Sequence, residues 1–278
     1  MQLLGKAETE QPGANGQFYD GVSLHLSKPG GNPVRETERD AMLYLLAISA
    51  GSADGWSYFG LGHAFVANMT GNTVLAGMAV FQKGGDVSHP LLSLCCYAIG
   101  AASAAFFTRK IHQGVVWARA ITVTLLLEAC IMAGAATAWV AIHLHPPSSA
   151  APLPYFTILL GCIAFAIGLQ SGAMLQLKIP GVVTTYITGT WTNLMTGLVR
   201  FASRKDREPR TQQRNFEERL LMQAGILTIY FLSAVLTGWL FRYHPLAVGA
   251  LSAASVLTVA IYAAVQAGKP AAAAPHGC

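Results

Sequence analysis

The sequence predicts an all-α, polytopic membrane helix bundle, and three observations lead to that fold class. Of its 278 residues, 53% are hydrophobic and only 11% are charged, against roughly 25% charged in a soluble domain. The apolar residues gather into eight long runs. Ten of the charged residues lie in residues 1–40 and eleven in residues 200–219, so the apolar runs are almost free of charge and are typical of helices that cross a bilayer.

Polar segments divide the chain into parts that we expect to behave differently. Residues 1–38 contain turn formers and no apolar periodicity, which predicts a disordered cytoplasmic arm. The Ala/Pro-rich residues 267–278 are expected to form a loose tail. Between them we predict a first membrane repeat at residues 39–145 and an external linker at residues 146–152. A second membrane repeat follows at residues 153–266, with a cytoplasmic loop at residues 200–219.

Each of the eight apolar segments has about the length that a bilayer-spanning helix requires, roughly 20 residues. In chain order they cover residues 41–59, 64–81, 91–108, 120–142, 153–177, 181–199, 220–241 and 245–265. The favoured fold has six spanning helices and two broken or re-entrant segments, the second and the sixth. The alternative has eight spanning helices.

The distribution of Lys and Arg favours the first of these topologies, because basic residues collect in cytoplasmic loops. If all eight segments cross, one side of the membrane holds 13 basic residues and the other 5. If segments two and six enter and leave by the same face, the division becomes 16 against 2. The second topology places both chain termini in the cytoplasm.

Two stretches of the sequence resemble each other in order and spacing, which predicts an internal duplication. Gly51 and Gly55 are four residues apart in segment one, as are Gly168 and Gly172 in segment five, and this spacing lets helix backbones approach closely. A Thr–Gly pair follows each glycine pair at nearly the same distance. Three spans and one re-entrant segment per copy would make the repeats inverted, an arrangement common in secondary transporters.

The Thr–Gly pairs, Thr70–Gly71 and Thr188–Gly189, lie within the second and sixth apolar segments. Glycine there would allow a helix to break, and threonine can satisfy backbone groups that the break frees. A helix restarting after Gly71 would direct free amides at an anionic group. The alternative is that Gly71 and Gly189 only permit close helix packing.

Asp54 and Glu128 are the two acidic residues within the apolar segments. A charge at such a depth costs at least about 2.5 kcal/mol even on insertion scales, so each needs compensation. Asp54 is the first candidate for proton or cation binding, with capping of a helix start as the alternative; its counterpart in the repeat is Ser171, beside Gln170. Glu128 lies near the middle of segment four, and we expect it to be buried in the bundle, either neutral or paired.

Two strings of polar residues lie on apolar backgrounds and are candidates to line one solute cavity. The first consists of Asn68, Thr70 and Asn72, and the second of Thr184, Thr185, Thr188, Thr190 and Asn193. Hydrogen bonds between helices, worth about 0.6 kcal/mol each on average, would explain any one of them without a ligand.

The sequence offers no arrangement typical of an enzyme. His143 and His145 end a segment without an acidic or Cys companion, so no metal site is expected. Ser52 has no His placed to activate it, and no glycine-rich phosphate loop or dinucleotide loop is present. We therefore expect no catalytic residue, no cofactor and no nucleic-acid partner.

The run from Ala50 to Gly55, followed by Phe65-Val66-Ala67-Asn68-Met69-Thr70-Gly71-Asn72-Thr73-Val74, resembles the YoaK-like family of bacterial integral membrane proteins. The run from Thr184 to Gly189 with Thr192 and Asn193 is similar to that family's second signature, except that Thr190 stands where the family pattern has Asn. The resemblance covers about residues 40–265. It implies a bacterial membrane protein of a family defined by a domain of unknown function, and it supplies no reaction.

These features favour a small-solute secondary transporter or permease in the bacterial inner membrane, with Asp54 or Glu128 binding a proton or another cation. The alternative is a membrane protein that does not transport and acts through helix packing or partner binding. The expected partners are the lipid bilayer, a small solute and a proton or cation, and assembly into a homo-oligomer stays open.

Overall fold

The computed structural model describes residues 33–109, 119–146, 153–176, 187–203 and 210–267. These residues form α-helices joined by turns and one short 3₁₀ helix at Pro245–Ala247, which confirms the all-α class. The helices are α1 Pro33–Gly60, α2 Met69–Ala79, α3 Ser88–Thr108, α4 Arg119–Leu144, α5 Leu153–Gln176, α6 Ile187–Ala202, α7 Arg210–Tyr243 and α8 Val248–Ala267.

Helix length and composition separate spanning candidates from short helices. Among the described residues, five helices (α3, α4, α5, α7 and α8) are long and apolar enough to cross a membrane. α1 has 28 residues and is long enough to cross, but it carries several polar side chains. α2 and α6 have 11 and 16 residues, fewer than the roughly 20 that a crossing helix requires.

Two helices begin earlier than the sequence predicts. α1 begins at Pro33, within the arm predicted to be disordered, and α7 begins at Arg210, within the predicted loop 200–219. Proline is favoured at the first position of a helix because its missing N–H is not needed there. Arg, Glu and Gln are good helix formers, so both polar stretches extend the helices that follow them. The rest of the arm, residues 1–32, and the tail residues 268–278 lie outside the described residues.

The glycine pairs mark two close helix crossings. On α1, Gly51 lies against the backbone of Tyr230 on α7, and Gly55 lies against Thr237 of the same helix. On α5, Gly168 lies against the backbone of Tyr97 on α3, and Gly172 lies against Ala101. Residue numbers rise together along both crossings, so α1 is parallel to α7 and α3 is parallel to α5.

α4 and α8 pack antiparallel. Near one end of α4 the Thr122 hydroxyl donates to the Ala263 carbonyl oxygen at 3.4 Å, and near the other end the Trp139 indole N–H donates to the Pro245 carbonyl oxygen at 2.8 Å. α1 also contacts α8, where the hydroxyl of Ser252 donates to the carbonyl oxygen of Ser49 at 2.9 Å.

One end of the bundle gathers the last residues of three helices and the first residues of three others. Phe59 of α1 stacks on Phe241 of α7, and Trp56 packs edge-on against Trp139 of α4. The rings of Trp139 and Phe156, near the start of α5, are 5.6 Å apart. His89 at the start of α3 contacts Thr157 of α5. α1, α4 and α7 therefore run towards this end, and α3, α5 and α8 run away from it.

These directions place α2 and α6 at opposite ends of the bundle. α2 follows the last residue of α1 and precedes the first residue of α3, so it enters and leaves at the same end. α6 lies between the last residue of α5 and the first residue of α7, at the other end. The pattern is that of two re-entrant segments.

The core contains mostly small residues from the innermost helices. In the apolar part of α5, which lies between Pro154 and Leu175, 78% of the residues are buried inside the bundle. In the apolar part of α3 the share is 22%. Residues 51–57 of α1 are all buried, and Ala50, Ala53 and Trp56 have no exposed surface. Large apolar side chains such as Phe106 and Phe231 lie outside, as expected for a surface that faces lipid.

Candidate functional site

The chain between α1 and α2, residues 61–68, is irregular and lies at the end of the bundle where α1 finishes. Gly62 has a φ of +109°, and a Cβ at that residue would meet the ring of His89 at 2.8 Å. Glycine is therefore required there both for its backbone conformation and for the contact with α3. We call residues 61–68 the linker.

Asp54 holds the second half of the linker from inside the bundle. One carboxyl oxygen of Asp54 accepts hydrogen bonds from the N–H groups of Val66 at 2.7 Å, Ala67 at 2.6 Å and Asn68 at 3.4 Å. Its other oxygen accepts from the hydroxyl of Tyr230 on α7. Asp54 is 4% exposed, so it satisfies backbone donors that water cannot reach.

Asn72 holds the first half of the linker. Its side-chain oxygen accepts from the N–H of Phe65 at 2.8 Å, and its amide nitrogen donates to the carbonyl oxygen of Phe65 at 2.6 Å. The hydroxyl of Ser93 on α3 donates to the same carbonyl oxygen. The irregular backbone is thus paired with buried protein groups, which is the condition under which such backbone is found at membrane depth.

α2 begins at Met69, two residues before Gly71, so the break lies ahead of the Thr–Gly pair and not after it. Asn68 is the N-cap: its side-chain oxygen accepts from the N–H of Gly71 at 3.1 Å. A Cβ at Gly71 would lie 2.9 Å from both the Phe65 ring and the Asn68 amide nitrogen. Gly71 is therefore a close-packing residue.

α6 begins in the same register as α2. Its first residue is Ile187, directly before Thr188–Gly189, just as Met69 stands directly before Thr70–Gly71. A Cβ at Gly189 would meet nothing within 4 Å, so this glycine has no packing requirement. Thr184 and Thr185, which belong to the predicted polar string, lie outside the described residues.

The first turns of α2 and α6 border one cavity of about 220 Å³. Its polar lining consists of neutral groups: the amide of Asn68, the hydroxyls of Thr70 and Thr188, and the tyrosines Tyr97 and Tyr230. The N-termini of the two short helices carry partial positive charge towards the same space. The lining is completed by Ala67, Met69, Ile187 and Gly189.

The structure brings four of the predicted site residues together at the cavity: Asn68, Thr70, Thr188 and Gly189. Asp54 reaches it indirectly, through the linker and Tyr230. The remaining predicted residues do not line it. Asn72, Thr190, Gln170 and Glu128 are buried elsewhere, Asn193 is exposed on α6, and Gly71 packs under Phe65.

Gln170 and Glu128 lie deep in the bundle, on α5 and α4. The amide nitrogen of Gln170 donates to the carbonyl oxygen of Leu46 at 3.3 Å. The carboxyl group of Glu128 is fully buried, and both of its oxygens lack a hydrogen-bond partner among the described residues.

Tyr97 and Tyr230 were not predicted from the sequence. Each is a tyrosine well inside an apolar segment, and a hydroxyl at that depth requires a polar partner, so this signal was available. The two tyrosines occupy equivalent places in the two halves, because Tyr230 lies against Gly51 and Tyr97 lies against Gly168. Their spacing hides this in the sequence, since Tyr97 follows the first Thr–Gly pair by far fewer residues than Tyr230 follows the second.

The connection from α2 to α3 ends in a cap. The Asp86 carboxylate accepts from the N–H and the hydroxyl of Ser88 at the start of α3 and lies beside His89. These hydrogen bonds from Ser88, together with the charge of His89, lower the pKa of Asp86 below its usual value. The start of α3 is therefore fixed by a carboxylate that stays ionised in neutral solution.

A bundle with lipid-facing apolar surfaces, two short helices entering from opposite ends and a polar cavity between those helices defines a multi-pass integral membrane protein. Residues 42–264 match the family model described as "Protein of unknown function (DUF1275)", and the chain belongs to that family. It is 29% identical over 205 residues to "UPF0700 transmembrane protein YoaK" of Bacillus subtilis (strain 168), an alignment that covers 71% of this chain and 82% of that protein. No solved structure matches the chain.

Proposed function

We propose that the protein is a secondary transporter or permease for a small polar solute, with its binding site in the cavity between α2 and α6. The observation that carries the proposal is the meeting of the two short helices at one polar cavity, with Asn68 and Thr70 on one side and Thr188 on the other. Broken helices whose ends point at a central site are typical of secondary transporters.

The helix contacts support an inverted duplication, which is the second argument for transport. The first helix of each half crosses the third helix of the other half at a glycine pair, α1 on α7 and α5 on α3. The fourth helices, α4 and α8, pack antiparallel. Inverted halves allow one half to move against the other around a shared site.

The lining limits the class of solute. At about 220 Å³ the cavity is smaller than the roughly 300–1,000 Å³ of sites for drug-sized ligands. Its polar side chains are hydroxyl and amide groups without formal charge. We therefore propose a small solute recognised by hydrogen bonds, and a coupling cation that binds elsewhere in the bundle.

The basic residues support a bacterial inner-membrane protein with both termini in the cytoplasm. The helix directions match the topology that divides Lys and Arg 16 against 2. In that orientation Lys83 and Arg242 face outwards and Arg109 and Arg119 face the cytoplasm, in agreement with the positive-inside rule.

The test begins with a thermal-shift screen of the purified protein against small polar solutes, followed by uptake of each hit into proteoliposomes. A solute at 100 times its dissociation constant adds about 2.7 kcal/mol of stability. Thr188→Trp, which fills the cavity, should abolish the shift and the uptake. The matched control is Thr137→Trp on the exposed face of α4, which should retain both.

Two results would contradict the proposal. One is uptake by Thr188→Trp equal to that of the native protein, because the cavity would then lie outside the solute path. The other is the absence of any shift or uptake across the solute classes, which would favour the alternative of a membrane protein that acts through helix packing or partner binding.

A further inference from the structure

Glu128 is a carboxyl group in an unusual position. It lies near the middle of α4 with no exposed surface, and neither of its oxygens has a hydrogen-bond partner among the described residues. A carboxylate ion that has lost its water and found no partner is strongly disfavoured. The side chain therefore carries its proton in this conformation.

The two helices that pack most extensively on α4, which are α5 and α8, supply no opposite charge. α5 and α8 contain no Asp, Glu, Lys, Arg or His, and their titratable residues are Tyr155, Cys162 and Tyr262. The acid on the nearby part of α1 is Asp54, which already accepts four hydrogen bonds. The other titratable side chains that the structure describes on α1, α3 and α4 are Glu38, Asp40, Tyr44 and Tyr58 of α1, His89, Cys95, Cys96 and Tyr97 of α3 with Arg109 at its end, and Arg119, Cys130 and His143 of α4 itself.

Hydroxyl groups lie close to the level of Glu128 in the bundle. The contacts of Thr122 with Ala263 and of Trp139 with Pro245 fix the register of α4 against α8. This register puts Glu128 level with the middle of α8, within a turn of the buried Ser255 and between one and two turns from the buried Ser252. On α4, the buried Thr124 lies one turn towards the Arg119 end.

A purely structural role does not explain this side chain. A neutral carboxyl group with unmade hydrogen bonds is a poorer filler of an apolar site than an apolar side chain of similar size. Ionisable groups inside membrane bundles commonly mark proton pathways. α4, the helix that carries Glu128, also packs against α8, the fourth helix of the other half.

We propose that Glu128 is the proton-binding residue of the protein, loaded in the present conformation and opened to solvent when α4 moves against the helices packed around it. The proton leaves the carboxyl oxygen for water and returns to the same oxygen, so no other reactant is needed. This inference rests on the proposed transport function, and it identifies the coupling ion as H⁺ and assigns it to Glu128 instead of Asp54.

The first test is infrared spectroscopy of the full chain in proteoliposomes, in H₂O and in D₂O. We expect a carbonyl band of a protonated carboxylic acid that shifts in D₂O, is lost in Glu128→Gln and persists in Asp54→Asn. Glutamine has the shape of the neutral acid, so this variant should fold. The absence of a band that depends on Glu128, or a band that D₂O does not shift, would overturn the proposal.

A second test uses the native chain and needs no variant to fold. Dicyclohexylcarbodiimide adds across its C=N bond to a protonated carboxyl group in an apolar site, giving an O-acylisourea that rearranges to a stable N-acylurea without loss of atoms. We expect mass spectrometry to find this adduct on Glu128, in a yield that falls as the medium becomes alkaline. Failure to modify Glu128, or a yield independent of pH, would overturn the proposal.

Proton release measured with a pH-sensitive dye inside the vesicles separates this inference from the proposed function. If Glu128 exchanges its proton but no solute moves, the proton site stands and the solute proposal fails. If the native protein accumulates a solute against its gradient and Glu128→Gln accumulates it equally well, transport stands and the assignment of the proton site to Glu128 is overturned.

Discussion

Asp54 connects three parts of the molecule through one carboxyl group: its own helix α1, the linker, and α7 through Tyr230. The linker N–H groups of Val66 and Ala67 are buried, where water cannot replace a lost acceptor. Tyr230 in turn lines the cavity. The carboxyl group therefore positions both the start of α2 and one wall of the cavity.

Replacing Asp54 with Ala should destabilise the protein more than replacing Tyr230 with Phe. Each buried N–H that loses its acceptor costs about 1–3 kcal/mol, so Asp54→Ala should lower the stability by several kcal/mol. Tyr230→Phe removes a single donor and should cost about 1–2 kcal/mol. Thermal unfolding of the purified variants in detergent provides the comparison.

Ser103→Ala is the control for these variants, because the Ser103 hydroxyl is exposed and donates only to the Ile99 carbonyl oxygen of its own helix. Its melting temperature should equal that of the native protein. If Asp54→Ala has the same melting temperature as Ser103→Ala, the linker does not depend on Asp54.

At the residue scale, the sequence identified the groups of the cavity better than their directions. Asn68, Thr70 and Asn72 were predicted to line one cavity, but α2 begins at Met69. Residues two apart in a helix point to nearly opposite sides, so Asn72 is directed away from Thr70 and binds Phe65 instead. Where a helix begins depends on a cap, and here the cap depends on tertiary hydrogen bonds from the linker N–H groups to Asp54 that local patterns do not reveal.

Among the helices, the glycine crossings hold the two halves together. A Cβ at Gly172 would lie 2.5 Å from the carbonyl oxygen of Ala101, closer than two such atoms can approach. Gly168 faces the backbone of Tyr97 in the same way. The four-residue glycine spacing in the sequence predicts a close crossing with another helix. It does not identify the partner helix, because any helix backbone could approach such a pair.

Gly172→Ala should therefore lower the stability, while Gly134→Ala should not. Added volume at a close crossing costs typically about 1–3 kcal/mol. Gly134 lies in α4, where a Cβ would meet nothing within 4 Å, so alanine there gains up to about 1 kcal/mol of helix propensity. The two melting temperatures should shift in opposite directions, and an equal shift in both variants would contradict the α3–α5 crossing.

The short helices α2 and α6 could be anticipated as breaks within apolar segments, and their exact extents could not. Both begin one residue before a Thr–Gly pair, a regularity that becomes visible only once the helix boundaries are known. In α2 the first turn depends on the Asn68 cap, and the linker ahead of it depends on groups from α1 and α3. Periodicity is a local signal and does not contain these contacts.

For the whole molecule, the six long helices fall into two sets of opposite direction, α1, α4 and α7 against α3, α5 and α8. This arrangement requires that α2 and α6 do not cross the bilayer, and it supports the proposed inverted duplication. The distribution of basic residues predicted the same topology from charge alone. The pairing of helices across the halves was beyond prediction, because glycine spacing and hydropathy carry no information on which helices meet.

Compartment-sensitive reporters can test this topology directly. A reporter inserted at Gln113, between α3 and α4, should report the same side of the membrane as one at Thr211, and that side should be the cytoplasm. A reporter next to Lys83, between α2 and α3, should report the outside. The physical reason is that α2, with 11 residues, is too short to carry the chain across a bilayer core about 30 Å thick.

A reporter at His244, between α7 and α8, controls for insertion, since it should lie outside whether six or eight segments cross. If Gln113 instead reports the outside and Lys83 the cytoplasm, segment two crosses fully. The two halves would then be parallel, α1 and α5 would run in the same direction, and the cavity between α2 and α6 would lose its place at an inverted interface. The three positions therefore separate the two topologies without knowledge of the solute.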